Sequence, residues 1–342
     1  MSIAVGLLGF GFSARVLHTP LILSSGMSIV GVVTRQHAAV REVLPAARVL
    51  ADVESLLALE RLDLVVIATP NHLHHAHGLA ALEQGKHVVI DKPLALTTLE
   101  ADGLIDAAAR HGCKLAVFQN RRWDSDFLTI ERLMSQNLLG TLSGFEARWD
   151  RFRPIVANRW REQPQYGGGL LYDLGAHLID QALCLFGMPD WLQADVFAQR
   201  EAAVADDGFE IRMAKGSVRI TLGAGSLVAD NALRYRVHGL KASFRKSGLD
   251  VQERQLRAGM LPDDAAFGLE PAEQWGQLVQ AETGRSETVA AECGRWREFY
   301  TSMRRSIEQD AAVPVCASEA RRVLMIIEAA RRSSDSGHRI TF

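Results

Sequence analysis

Apolar positions fall into two rhythms along this chain. Up to about residue 120, short continuous apolar runs alternate with stretches of helical spacing. The runs are Ile3 to Leu8, Ser28 to Val33, Leu62 to Ala68, His87 to Ile90 and Lys114 to Phe118. Between them, Leu73 to Gln84, closed by Gly85, and Thr97 to Arg110 carry helical patterns. Buried strands alternating with helices predict a doubly wound parallel sheet, because parallel neighbours need long crossovers that cover both faces.

Beyond residue 120 the pattern changes. A helix from about Asp124 to Gln136 leads to an apolar run, Leu142 to Phe152, and the Gly167-Gly168-Gly169 turn opens a long apolar helix to Phe186. Alternating runs follow at Leu192–Arg200, Gly208–Met213, Ser217–Gly223, Tyr235–His238 and Ala242–Arg245. They predict a large, mostly antiparallel open sheet, polar on one face or covered by a partner. Gly259 to Glu287, with its Pro, Gly and acidic residues, predicts an irregular excursion, and helices near Arg295–Glu308 and Ser318–Ser333 close the chain. The expectation is an α/β protein of two domains, residues 1–120 and 121–342. An open sheet would expose a broad apolar face in a monomer, so two-fold pairing into a homodimer or homotetramer is expected.

Chemistry enters at the first strand-to-helix turn, Gly9-Phe10-Gly11-Phe12-Ser13-Ala14. Gly9 allows the tight turn, Gly11 allows a pyrophosphate to approach the backbone, and Ala14 is small enough for close helix–strand packing. The helix start offers free N–H groups and partial positive charge. Thr34-Arg35 follow the second strand, where NAD-binding domains usually place a carboxylate for the ribose hydroxyls. A hydroxyl and a guanidinium suit a 2′-phosphate instead, so NADP is expected, with NAD possible.

Composition narrows the class. The 342 residues are 48 % hydrophobic and 23 % charged, with a formal net charge of −2, which gives no electrostatic reason to expect nucleic acid or anionic membrane. No apolar stretch reaches the ~18 residues a membrane helix needs, and the N-terminal apolar run is used as a strand. Four cysteines, Cys113, Cys184, Cys293 and Cys316, lie far apart, as expected of reduced, mostly packed thiols in a cytoplasmic protein.

Three further motifs carry candidate chemistry. Thr69-Pro70-Asn71 end the fourth strand and are placed to cover a cofactor ribose; His74, in the histidine-rich turn of His72, His74, His75 and His77, reads as cofactor-lining rather than metal-binding. Asp91-Lys92-Pro93 follow the next strand, where Lys92 could favour negative charge developing on a reacting oxygen. On the long helix, Asp173, His177 and Asp180 share one face amid leucines. Spacing leaves two readings open: a catalytic stripe, or an Asp173 that assists the helix start while His177 pairs with it.

Together the Gly-x-Gly turn, Thr69-Pro70-Asn71-His72, Asp91-Lys92-Pro93 and Asp173-x-Gly-x-His177-x-x-Asp180 resemble the glucose–fructose oxidoreductase/inositol dehydrogenase family, over essentially the whole chain. Phe118-Gln119-Asn120-Arg121-Arg122-Trp123-Asp124 and Asp150-Arg151-Phe152-Arg153-Pro154 resemble its NADP-dependent scyllo-inositol dehydrogenase-like branch. The resemblance implies a Rossmann domain before an α/β domain, dimers or tetramers, and metal-free hydride transfer at a secondary alcohol or ketone of a cyclic polyol or sugar. It implies catalytic roles for Lys92, Asp173 and His177, with His177 the base of suitable pKa. It implies a cofactor site of Gly9, Gly11, Phe12, Ser13, Thr34, Arg35, Thr69, Pro70, Asn71, His74, Asp91 and Lys92. Asp91 stands where the family has Glu, and Ala14 where it has Gly. Trp123, Asp124, Arg153, Arg159 and Trp160 are candidates for a wall against a neutral polyol ring. An aldose or anhydro-sugar reductase or a dihydrodiol dehydrogenase would share this machinery. A non-catalytic NADP-binding sensor would need the turn and Arg35 but not the catalytic set.

Overall fold

Why the first rhythm makes a parallel sheet is plain from burial in the computed structural model, which describes residues 2–342. Strands β1 (Ala4–Leu8), β2 (Ser28–Val33), β3 (Arg48–Leu50), β4 (Leu64–Ile67), β5 (His87–Asp91) and β6 (Leu115–Phe118) form one sheet. Its order is β3-β2-β1-β4-β5-β6, with every pair parallel. Central strands β1 and β4 are apolar throughout because helices cover both faces, and the edge strand β6 is buried along its full length as well. The order reverses between β1 and β4, and in doubly wound sheets ligands bind at that switch point, outside the strands' carboxyl ends. Helix Thr98–Arg110 begins where expected, since the Thr97 side chain accepts a hydrogen bond from the Glu100 amide.

A nine-stranded sheet forms from β7 (Leu142–Arg148), β8 (Trp191–Phe197), β9 (Gly208–Lys215), β10 (Val218–Gly225), β11 (Leu233–Gly239), β12 (Ala242–Ser247), β13 (Gly276–Gln280), β14 (Ser286–Val289) and β15 (Ile340–Thr341). Its order is β14-β13-β12-β11-β7-β10-β9-β8-β15, antiparallel except for β7 beside β10. One face buries Phe145, Phe209, Ile211, Leu222, Tyr235, Val237 and Phe244. Helix Ala176–Phe186 packs there, with Phe186 edge-on to Phe145 and Gln181 accepting from the Tyr235 hydroxyl.

Several expectations need correction. The other face of this sheet is not apolar: Arg148 pairs with Glu210, Arg236 pairs with Glu146, and Arg212 is exposed. Alternation within each strand sends polar residues outward, so no greasy surface demands a partner. The region 259–287 is not wholly irregular, for it contains β13 and enters β14. The edge strand β14 and its neighbour β13 bury little besides Leu278, which left them without a visible pattern. The helix after the triple-glycine turn opens with a π segment, Leu171–Gly175. None of the four free cysteines is fully buried, and Cys184 is exposed.

Two compact units result, and they do not follow a single cut at residue 120. Met1–Asn120, Gln252–Phe267 and Arg295–Arg321 make the first; Arg121–Val251, Gly268–Gly294 and Arg322–Phe342 make the second. The return of the late segment has an aromatic cause. Phe299 and Tyr300 of helix Arg297–Gln309 pack on Phe118 of β6, with ring centroids 4.9 and 5.8 Å away. Among the described residues, no helix is long and apolar enough to cross a membrane.

Candidate functional site

In the first unit, Gly9 ends β1 with a φ of +92°, and its amide donates to the Val33 carbonyl. A side chain there would strike the Ala68 carbonyl, so only glycine brings β1 and β4 this close at the switch point. At Gly11 a Cβ would meet nothing within 4 Å, which leaves open space in front of the backbone that starts segment Ser13–His18. Open space, a helix start and a free cation make the donor set that a dinucleotide phosphate requires. That cation is Arg35, exposed after β2 with no ion pair among the described residues. Thr34 accepts from the Gln36 amide through its hydroxyl. The residues present therefore fit a nicotinamide dinucleotide.

The flanking residues divide into those facing open space and those used by the chain itself. Phe12 is exposed, with the Arg257 guanidinium 4.1 Å above its ring. Ser13 donates its hydroxyl to Asp91 Oδ2 at 2.6 Å, so only its backbone N–H remains for a ligand. Thr69, Pro70 and Asn71 form the turn after β4; the Thr69 hydroxyl lies 3.3 Å from His77 Nδ1, and Asn71 is buried. His74 is buried too, and both of its ring nitrogens face backbone carbonyls of the chain. Its Nδ1 sits 2.8 Å from the Pro93 carbonyl and its Nε2 2.9 Å from the Thr69 carbonyl. It braces the Thr69 turn against the Lys92 turn. Burial pushes its pKa below the ordinary histidine range, against the pull of both carbonyls and of Asp91.

Lys92 leaves β5 through a cis peptide bond to Pro93, and its own amide donates to Asp91 Oδ1. Burial works against the Asp91 charge. The His18 ring, the Ser13 hydroxyl and the Lys92 ammonium more than compensate, and they hold the carboxyl well below the usual carboxylate range. His18 Nε2 is 3.6 Å from Asp91, its Nδ1 bonds the Tyr300 hydroxyl, and its ring packs on Phe118. Neither His18 nor Tyr300 has a local signal in the sequence, because 282 residues separate them.

In the second unit, Asp173 lies in the π segment with Arg151 Nη1 at 3.5 Å and Arg161 Nε at 3.9 Å. His177, one turn on, is buried with its ring against Trp149, centroids 5.7 Å apart. Three guanidiniums, from Arg121, Arg234 and Arg151, lie 4.8, 4.9 and 5.6 Å from the same indole. Asp180, which shares the stripe, is bonded by Arg122 Nε and Nη2 at 2.8 and 2.7 Å, a bidentate structural pair.

The candidate ring wall divides as well. Asp124 is buried at the start of helix Ser125–Ser135, 3.6 Å from Arg121. Burial pushes its carboxyl well above the usual range, Arg121 opposes that, and Asp250 and Asp126 add to it. It belongs to the interior network rather than to a wall. Trp123 is half-buried in the turn before that helix. Trp160 is half-buried beneath the Arg161 guanidinium at 4.5 Å. Arg153 and Arg159 do line a pocket, together with Arg151, Arg161, Asp173 and Ser226. Arg151, Trp149 and Ser226 were not among the site candidates, yet the Asp150-Arg151-Phe152-Arg153 string held the signal. The amides of Trp149, Arg151 and Arg153 bond the carbonyls of Gly223, Gly225 and Ser226. Strand-like spacing then sends Arg151 and Arg153 to one side.

Family models match both parts: residues 3–119 match the oxidoreductase family's NAD-binding Rossmann fold, and residues 131–342 its C-terminal alpha/beta domain. The chain is 40 % identical to the scyllo-inositol 2-dehydrogenase (NADP(+)) IolW of Bacillus subtilis, over 97 % of this chain and 94 % of that protein. It is 37 % identical to the uncharacterized oxidoreductase YdgJ of Escherichia coli, over 99 % and 98 %. Among solved structures, the oxidoreductase yvaA of Bacillus subtilis superposes with a TM-score of 0.97 at 39 % identity, covering 100 % and 98 %. An oxidoreductase from Klebsiella pneumoniae gives 0.92 at 37 %, covering 100 % and 95 %. The chain belongs to the GFO/IDH/MocA oxidoreductase family and is an NAD(P)-binding oxidoreductase.

Proposed function

We propose that the protein moves a hydride between NADP(H) and a secondary alcohol or ketone of a cyclic polyol or sugar. The observation that carries this reading is 40 % identity to an NADP-dependent scyllo-inositol dehydrogenase over 97 % of the chain, beside the Asp91-Lys92-Pro93 and Asp173-x-Gly-x-His177 motifs. When bound, the nicotinamide supplies the hydride acceptor or donor. His177 takes the hydroxyl proton in the oxidative direction and returns it in the reductive one, its ring packed at a 31° tilt against Trp149. Lys92 favours negative charge that develops on a reacting oxygen. Asp173 shares its charge with Arg151 and Arg161 and orients the substrate beside His177.

Arg35 selects the phosphorylated dinucleotide, since it faces solvent with no acidic partner. The protein works in the cytoplasm as a homodimer or homotetramer. Pairing through the open sheet face would rest on hydrogen bonds and ion pairs, and light scattering that finds only monomer would refute it.

One experiment tests the core of this. Neutral polyols and sugars are offered with NADP+ and NAD+, and the corresponding ketones with NADPH and NADH, to wild type, Lys92→Ala, His177→Ala and Arg35→Asp. NADP(H)-linked turnover is expected, with kcat down by ~10²-fold or more in the first two variants and NADPH binding nearly intact. Arg35→Asp should erase or reverse the cofactor preference. Near wild-type turnover in either catalytic variant removes that residue from the mechanism.

A further inference from the structure

The pocket beside Asp173 is far more basic than a neutral ring requires. Five arginines and three carboxylates line it, an excess of two positive charges in a chain whose formal net charge is −2. The carboxylates are mostly committed elsewhere. Glu162 is bonded by Arg159 at 2.8 Å and Arg200 at 2.7 Å. Asp206 accepts from the Leu171 amide at 2.7 Å and from Arg331 at 2.9 Å. Arg151 and Arg161 flank Asp173, and Arg153 lines the same pocket. Arg151 and Arg161 stand 3.5 and 3.9 Å from its carboxylate, beyond the ~2.7–2.9 Å of a close charge-assisted bond. Arg153 is exposed and makes no ion pair among the described residues.

The arrangement is built rather than incidental. A Cβ on Gly168 would strike the carbonyls of Arg161 and Gln163 at 2.6 Å, and one on Gly169 would strike Asp206 Oδ1 at 2.2 Å. The triple-glycine turn thus seats the Arg161 backbone, whose carbonyl accepts from the Gly169 amide, against the start of the Asp173 helix. Arg200, buried, donates toward the carbonyls of Arg153 and Ile155 and so ties down the strand end carrying Arg153. The two positive charges in excess of the lining carboxylates favour a further anion here.

We infer that this pocket binds an anionic group on the substrate, a carboxylate or a phosphate monoester attached to the sugar or polyol. The inference rests on the proposed dehydrogenase reading and narrows its substrate class from neutral rings to sugar acids or sugar phosphates. The hydride step is unchanged: the anion is held by Arg151, Arg153 and Arg161, while the reacting carbon lies at His177.

The test is calorimetric binding to the NADPH complex, with inositol, glucuronate, glucose 6-phosphate and inorganic phosphate as probes, paired with turnover assays on the organic probes. At least one organic anion is expected to bind more tightly than inositol and to turn over. Its affinity should fall as salt rises. Arg153→Gln and Arg161→Gln should each weaken it about tenfold, a charge-assisted bond's worth, and more than they weaken inositol. Arg153→Lys should recover part of the loss. Inorganic phosphate should compete with the organic anion; phosphate that binds without competing marks an effector site and overturns the assignment to substrate. Anion binding indifferent to both substitutions, or weaker than inositol binding, overturns it as well. Turnover confined to neutral rings sinks this inference and leaves the dehydrogenase reading standing. Anion binding without NADP(H)-linked turnover of any probe sinks the dehydrogenase reading instead.

Discussion

Arg200 is the point at which fold and site meet, and Arg200→Met should expose that dependence. The guanidinium is buried, with 4 % of its side chain exposed, between Glu162 at 9 % and Asp207 at 1 %. Nη2 donates to Glu162 at 2.7 Å and Nε to Asp207 at 2.9 Å. Burial disfavours the Arg200 charge, and the bonds to the two carboxylates overcome it and raise its pKa. Removing one partner of a buried ion pair costs about 3–5 kcal/mol, because the other charge stays behind without compensation. Here two facts point to the lower end. Asp207 keeps the Gln199 and Arg200 amides at 2.8 and 2.9 Å, and Glu162 keeps Arg159.

A loss of about 3 kcal/mol corresponds to a fall in Tm of roughly 6–12 °C for a unit of this size. Scanning calorimetry at one pH, wild type against variant, reads it. The double variant Arg200→Met/Glu162→Gln should recover part of the fall, since one stranded charge is then gone. The single variant should also raise KM more than it lowers kcat, because Arg200 holds the strand end of Arg153 and not the reacting atoms. A Tm within about 2 °C of wild type would mean that water reaches the two carboxylates without Arg200, and the clamp would be refuted.

Two more outcomes follow from buried groups. Glu270, 2.9 Å from Lys246, has its pKa raised to about 7 by burial, with Lys246 opposing and Asp126 and Asp250 adding. A carboxyl with a folded-state pKa above its unfolded value of 4.5 stabilises the fold most below that value, and the stability is lost as pH rises through about 7. The gap is worth at most about 3 kcal/mol, so the urea midpoint should fall between pH 5 and pH 8 and the fall should shrink in Glu270→Gln. An equal fall in both proteins rejects the assignment. His74→Ala should lower kcat by about tenfold or more through the Lys92 turn, while changing NADPH affinity less than twofold, since the neutral ring donates to one of the two carbonyls it bridges and that buried carbonyl loses its partner at ~1–3 kcal/mol. A variant that loses cofactor affinity in step with kcat would put His74 back in the cofactor site.

What the sequence exposed and what it concealed follow from the range of each interaction. Strands β1, β4 and β6 could be located because burial on both faces demands uninterrupted apolar residues. Strand β14 could not, because an edge strand held by backbone bonds asks little of its side chains, and Ser286, Glu287 and Thr288 are exposed. The helix Arg297–Gln309 announced its amphipathic face but not which core would receive it; Phe299 and Tyr300 find Phe118, far back in the chain. Asp180 had the right spacing for the His177 stripe, yet Arg122, 58 residues away, claims it. Local patterns fix elements, whereas partners of charged groups are set by topology.

The two glycine-rich turns show why spacing alone cannot separate a ligand site from a packing site. Both interrupt the chain just before a helix, and both remove side chains where backbone must come close. At Gly11 the missing Cβ faces nothing within 4 Å, so that space is open. At Gly168 and Gly169 the missing Cβ would overlap Arg161, Gln163 and Asp206, so that space is already filled by the protein. The first turn is open to a phosphate that the helix start can hold. The second holds the Arg161 backbone against the Asp173 helix, and its chemistry passes to the guanidiniums it positions rather than to its own amides.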